Sequence, residues 1–179
     1  MAPQTILDFW FSEITPAEWF GKSDAFDNLI RERFEAVAEA AAKSELDDWR
    51  ETIEGRLAEI IVLDQFSRNL WRDTPRAFAQ DPMAMALAQE AVKHPDYQTL
   101  PAIQRKFILM PYMHSESAKI HQQAVELFKA LDDDYTFDYE IRHKEIIDRF
   151  GRYPHRNEIL GRQSTPEEIA FLQQPGSSF

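Results

Sequence analysis

Apolar residues return at steps of three and four along most of this chain, the spacing of one helix face rather than of a strand. Phe26, Ile30, Phe34, Val37 and Ala41 form one such series, and Ile120, Ala124, Leu127, Phe128 and Leu131 form another. No stretch sustains period-two alternation with hairpin turn signals. Breaks in the pattern coincide with a capping residue followed by proline: Thr15-Pro16, Thr74-Pro75, Asp81-Pro82 and Thr165-Pro166. Proline at the first helical position has no N–H to waste and its φ is already helical, so each pair predicts a helix start. Thr15 and Thr165 are each followed three residues later by glutamate (Glu18, Glu168), which completes a capping box. These features confine the chain to an all-α fold.

Further boundaries follow. A short buried helix is expected over 3–11, and a long one after the cap Ser23. A central helix over about 49–66 carries Ile53, Leu57, Ile60, Ile61, Val62 and Leu63 on most of its circumference. A helix from Pro82 to about His94 shows small residues at Ala84, Ala86, Ala88 and Ala91, which admit a close neighbour. Another spans 101–110 and is expected to stop at Pro111. Ser115 is the expected cap of the next helix, and a tri-aspartate turn (Asp132 to Asp134) precedes one over about 136–150, ended by Gly151. The connections are short, which makes consecutive helices antiparallel neighbours. The expected architecture is a compact, single-domain array of about seven helices in antiparallel hairpins over 1–179, with 175–179 a flexible tail.

Length and composition set the outer limits. A chain of 179 residues buries roughly 70% of its unfolded surface as one ordinary domain. Thirteen Phe and four Trp predict a heavily aromatic core. There is no cysteine, which removes disulfides, thiolate catalysis and zinc–thiolate sites and suits a reducing, cytoplasmic setting. The opening residues lack a basic region, and no segment approaches the eighteen or so uninterrupted apolar residues of a span, so neither a signal peptide nor a membrane helix is expected. A net charge of −11 argues against nucleic acid or an anionic membrane as general partner.

Against that acidic background, one stretch stands out. Between Arg142 and Arg162 six Arg/Lys face three acids, and RFGRYPHRNEILGR from Arg149 to Arg162 holds four arginines, a histidine and two glycines. Guanidinium forks and the free N–H groups of a short helix starting near His155 would make a receptor for carboxylate or phosphate. Arg149, Arg152, His155, Arg156 and Arg162 are the candidate ligand-binding residues, with Arg68 completing the wall. The same forks also serve as staples between packed helix ends, and Glu145 stands four residues before Arg149 as a ready partner.

Two other polar clusters interrupt the apolar pattern: Asp64 to Asn69 and His114 to Glu116. Asp64 and Arg68, four apart, are expected to pair on one helix face. His114 and His121 are seven apart and could share a face. An acid at Glu116 suits a helix first turn. His143 falls on the apolar stripe with Ile146 and Ile147, where histidine is usually a buried structural residue. His155 lies outside the helix among the arginines, where neighbouring cations favour neutral imidazole. In an enzyme reading His155 or His114 is the general base, Glu116 or Asp64 orients it, and arginines stabilise developing charge. The metal spacings HExxH and HxxEH are absent, as are phosphate-loop, dinucleotide and nucleophile-elbow motifs, so no metal site and no cofactor are expected.

The set DQFSRN (Asp64 to Asn69), HSE (His114 to Glu116) and RFGRYPHRNEILGRQSTPEE (Arg149 to Glu168), with ILDFWF (Ile6 to Phe11), resembles the bacterial and plant family known as domain of unknown function 924. The resemblance covers nearly the whole chain in the same order. It implies a tetratricopeptide-like, helix-hairpin architecture and assigns no activity. The tetratricopeptide repeat motif itself is missing, so peptide-groove binding is not carried over. Three functions are left in contention: a helical domain binding a small anionic ligand or an acidic peptide end, an enzyme acting on a phosphate or carboxylate compound, and an interaction scaffold in which the arginines are structural. Oligomeric state is left open.

Overall fold

A computed structural model describes all residues from 1 to 179 and contains helices without a strand. The chain clusters into two units, Met1–Arg72 with Arg76–Pro111, and Asp73–Pro75 with Tyr112–Phe179.

In the first unit, α1 (Pro3–Asp8) begins on proline and continues as a π-helical turn over Phe9–Glu13. The capping box at Thr15 opens α2 (Pro16–Trp19), with the Thr15 N–H donating to Glu18 Oε2 at 2.7 Å. Ser23 caps α3 (Asp24–Ala42) by accepting from the Phe26 N–H. The expected single helix over 49–66 is three pieces. A 3₁₀ turn (Asp47–Glu51) precedes α4 (Ile53–Ile61), which runs into a second π turn (Val62–Phe66) and then α5 (Ser67–Leu70). Each π turn carries one residue more per hydrogen-bonded turn than an α-helix, and the first ends at Ile14 in extended conformation. The two turns meet: Phe9 and Trp10 lie 6.0 and 5.6 Å from the Phe66 ring. Full burial of each such ring is worth roughly 1.5–3 kcal/mol.

Helix α4 is central, packed on α1 and on α6 (Asp81–Ala91). The α6 contact works because Ala84, Ala88 and Ala91 are fully buried and bring the backbones close. Asp81 does not cap α6; Gln80 holds that position, and Asp81 instead receives Arg68. The helix expected to stop before Pro111 does not stop. As α7 (Ala102–His114) it carries Pro111 inside, because Leu109, Met110, Tyr112 and Met113 around the proline are all buried and packing outweighs propensity.

In the second unit, α8 (Ala118–Lys129) and α9 (Asp134–Phe150) form a hairpin. The tri-aspartate turn supplies its own cap, since Asp133 accepts from the Thr136 N–H at 3.1 Å. Gly151 ends α9 in the left-handed region, at φ 70°. Ser117 stands at the start of α8 in place of Ser115, whose Oγ accepts the Ser117 N–H at 3.2 Å. Only one 3₁₀ turn (Pro154–Arg156) forms near His155, and α10 (Pro166–Leu172) follows a second capping box at Thr165. In the tail, Ser177 is buried and donates to the Leu172 carbonyl. No helix is long and apolar enough to cross a membrane.

Candidate functional site

The arginine island and the His114–Glu116 segment come together in the second unit. Arg162 reaches Glu116 with both terminal nitrogens, at 2.8 and 2.9 Å, and its Nε donates to Asn157 Oδ1 at 2.9 Å. Glu116 therefore does not sit in a helix first turn; it precedes α8, and its Oε1 also accepts the Tyr153 N–H at 2.8 Å. Burial pushes the Glu116 carboxyl up, but Arg162, the Tyr153 N–H and Arg156 outweigh it and hold the group below the usual carboxylate range.

Arg152 makes the same fork onto Glu168, at 2.7 and 2.8 Å, and also donates to the Gln163 carbonyl. Glu168 is the capping-box acid of α10, so one carboxylate serves the Thr165 N–H and the guanidinium together. Arg152 foremost, with the Thr165 N–H and Asn157, pulls its pKa down to about 2. Arg149 ignores Glu145 and bonds Glu167 at 2.9 Å, its guanidinium lying 4.6 Å from the Phe150 ring centre. Arg156 donates to the His114 carbonyl at 3.0 Å and covers the Tyr153 ring at 4.7 Å.

Beneath this lies a second network that sequence reasoning did not assemble. His121 and Glu140 are both fully buried, and His121 Nδ1 is 2.7 Å from Glu140 Oε1. On the other side, His121 Nε2 is 2.7 Å from the Ser115 carbonyl, which can only accept, so Nε2 carries a hydrogen. One further proton then belongs to the Nδ1–Oε1 contact, making it imidazolium–carboxylate or imidazole–carboxylic acid. Burial, opposed by His121, raises the Glu140 carboxyl above its ordinary range. Glu140 Oε2 has no hydrogen-bond partner. The sequence signal was present but slight: Glu140 and His143 share the stripe of Thr136 and Ile147, four, three and four residues apart, and all four are buried. The break after α7 separates His114 from His121, so the two do not share a helix face.

Tyr153 joins the two networks. Its hydroxyl donates to the Met113 carbonyl at 2.5 Å and lies 3.1 Å from His121 Nε2, while its N–H and carbonyl serve Glu116 and Arg162. Beside it His143 donates from Nδ1 to the Tyr139 carbonyl at 2.7 Å, and the His155 ring lies 5.8 Å away, tilted by 45°.

Burial depresses His143 to about 3. The unfolded imidazole takes a proton near its ordinary pKa of about 6.5 and the folded one does not, so stability is complete above that pH and declines below it. The loss at pH 5 should be about 2 kcal/mol from this group. Urea unfolding at pH 7.5 and pH 5 will show it, and His143→Gln should remove that part of the difference; equal pH dependence in both proteins would refute the assignment.

In the first unit, Arg68 forks onto Asp81 at 2.5 and 2.9 Å and donates to the Ala77 carbonyl at 2.8 Å. Asp64, its expected partner, forms a longer ion pair with it at 3.9 Å and accepts from Gln65 Nε2. The nearer Asp81 offers both oxygens in the plane of the guanidinium, the geometry a fork prefers. Asn69 and Arg72 both bind Asp27, which burial would raise but Arg72 and Asn69 hold low.

None of the curated proteins matches the chain. A solved structure of a protein of unknown function from Agrobacterium tumefaciens is similar over 96% of both chains, at 40% identity and a TM-score of 0.90. The family described as bacterial protein of unknown function, DUF924, matches residues 6–176, which include both networks and the Arg68 cluster. The chain belongs to that family.

Proposed function

We propose that this protein is an interaction scaffold, and that its arginine island is an internal staple rather than the wall of an anion pocket. The observation that carries the reading is the pairing of the island: Arg149 with Glu167, Arg152 with Glu168, Arg162 with Glu116 and Arg156 with the His114 carbonyl. A guanidinium already forked onto a carboxylate has spent two of its five N–H donors and has its charge balanced, so a receptor built from these groups gains less from a ligand's carboxylate. The enzyme reading loses support for a related reason, because the Glu116 oxygens are held by Arg162 and the Tyr153 N–H instead of standing ready to orient a base. With many cations engaged internally, the acidic excess of 11 charges favours a partner that presents basic segments. The cysteine-free composition fits a cytoplasmic setting.

Arg152→Ala and Arg162→Ala should each lower the melting temperature by several degrees, since about 1 kcal/mol moves a domain of this size by roughly 2–4 °C. Sulfate, phosphate and citrate should raise the wild-type melting temperature no more than chloride at equal ionic strength. A saturable rise with one of them, lost in Arg152→Ala, would restore the anion-binding reading.

A further inference from the structure

His143, Tyr153 and His155 surround an aromatic ring, and the ring is the chain's own Phe179. The Phe179 ring centre lies 3.8 Å from that of His143, with the planes tilted by 34°. Tyr153 and His155 meet it edge-on, at 5.6 Å and 89° and at 5.0 Å and 74°. The two edge-on contacts have the spacing that aromatic rings favour, with centres roughly 4.5–7 Å apart, because the ring edge is positive and its face negative; His143 lies closer. Two of the three walls are fixed in place. The Tyr153 hydroxyl is tied to Met113 and His121, and His143 to the Tyr139 carbonyl. Burial keeps the His143 imidazole neutral, so it carries no charge to desolvate when a ring covers it.

The occupant is held more loosely than the walls. Phe179 is 44% exposed and follows a Pro-Gly-Ser-Ser tether anchored by the Ser177 hydroxyl bond to the Leu172 carbonyl. The site is thus built for a phenyl ring, and its present occupant is attached by a short tail with half its surface in water.

We propose that this slot is a recognition site for a phenylalanine-type side chain of a partner segment, occupied by Phe179 when no partner is bound. The proposal deepens the scaffold reading: the acidic excess would favour basic residues flanking the partner's aromatic residue. Because Phe179 is on the same chain, it competes at high effective concentration and lowers the apparent affinity of a partner by the fraction of time it vacates the slot.

The test uses the full chain, imidazole NMR resonances of its five histidines, and two probes, N-acetyl-phenylalanine amide and the peptide Lys-Lys-Phe-Lys-Lys. In Phe179→Ala the His143 and His155 resonances should move. The phenylalanine amide should return them toward their wild-type positions with roughly tenfold tighter binding than to the wild type, and N-acetyl-leucine amide should not. If the two histidines do not respond to Phe179→Ala, or if neither probe binds the variant more tightly than the wild type, the slot assignment is overturned. If the amide binds and the cationic peptide gains nothing over it, the slot stands and the basic-partner part of the scaffold reading falls.

Discussion

Glu140→Ala should destabilise the protein by about 3–5 kcal/mol, among the largest losses any single truncation here will produce. The pair it breaks is fully buried, and His121 would keep its Nε2–H bond to Ser115 while Nδ1 lost its only partner at 2.7 Å. If the proton stays on Nδ1 the protein contains an uncompensated buried cation; if it leaves, it contains an unsatisfied acceptor. Glu140→Gln separates the two costs, because the amide can donate to a neutral Nδ1 and keep the geometry. It should cost about 1–2 kcal/mol. The double variant His121→Leu with Glu140→Leu should recover much of the loss, as buried ion pairs replaced by apolar groups often do. Urea unfolding midpoints at pH 7 decide the matter, and a Glu140→Ala variant within about 1 kcal/mol of wild type would sink this account of the pair.

The reason for so expensive a pair lies in what it fixes. Ser115 sits in the break between α7 and α8, and Glu140 belongs to α9, so His121 ties an irregular segment to the hairpin below it. Tyr153 accepts the same geometry, with its hydroxyl near His121 Nε2 and its backbone between Glu116 and Arg162. A shift in the buried pair therefore reaches the arginine staple through one residue, and couplings of roughly 0.5–3 kcal/mol are usual for side chains in one such network.

How much of this was legible beforehand depended on range. Ser23, Thr15, Thr165 and Gly151 act on groups within a few residues, and each does what its local signal predicts. The all-α class followed from the same short-range periodicity. The arginine partners were not legible, because local and distant acids compete and geometry decides. Arg149 passes over Glu145 for Glu167, and Arg68 pairs with Asp64 at 3.9 Å as expected but makes its fork onto Asp81. The π turns escaped notice because an inserted residue looks like continuous apolar helix in the sequence. Glu140 was hidden by its type: an acid on a helix reads as solvent-facing unless its stripe is followed through His143 to Ile147. The slot around Phe179 combines a helix residue, a loop and the tail, so no local pattern marks it.

Gly55→Ala should be the most damaging of the conservative substitutions, and it reverses the usual sign. Replacing an ordinary helical glycine by alanine gains roughly 0.5–1 kcal/mol by reducing chain entropy. Gly55 lies in the first turn of α4, and a Cβ there would come 1.9 Å from the Trp49 carbonyl oxygen and 2.8 Å from its carbon. Those are backbone atoms, which no rotamer change can move aside. Trp49 is itself buried, and the next residue, Arg50, forks onto the fully buried Glu59 at 2.7 and 2.6 Å. Pushing the 3₁₀ turn outward thus strains a buried ring and a buried carboxylate at once, and a loss of at least about 3 kcal/mol is expected. Gly151→Ala is the control. Nothing lies within 4 Å of a Cβ there, and the only penalty comes from φ of +70°, roughly 1–2 kcal/mol. If thermal unfolding ranks the two variants the other way, or finds Gly55→Ala as stable as wild type, the close crossing of Trp49 over α4 is not what that glycine is for.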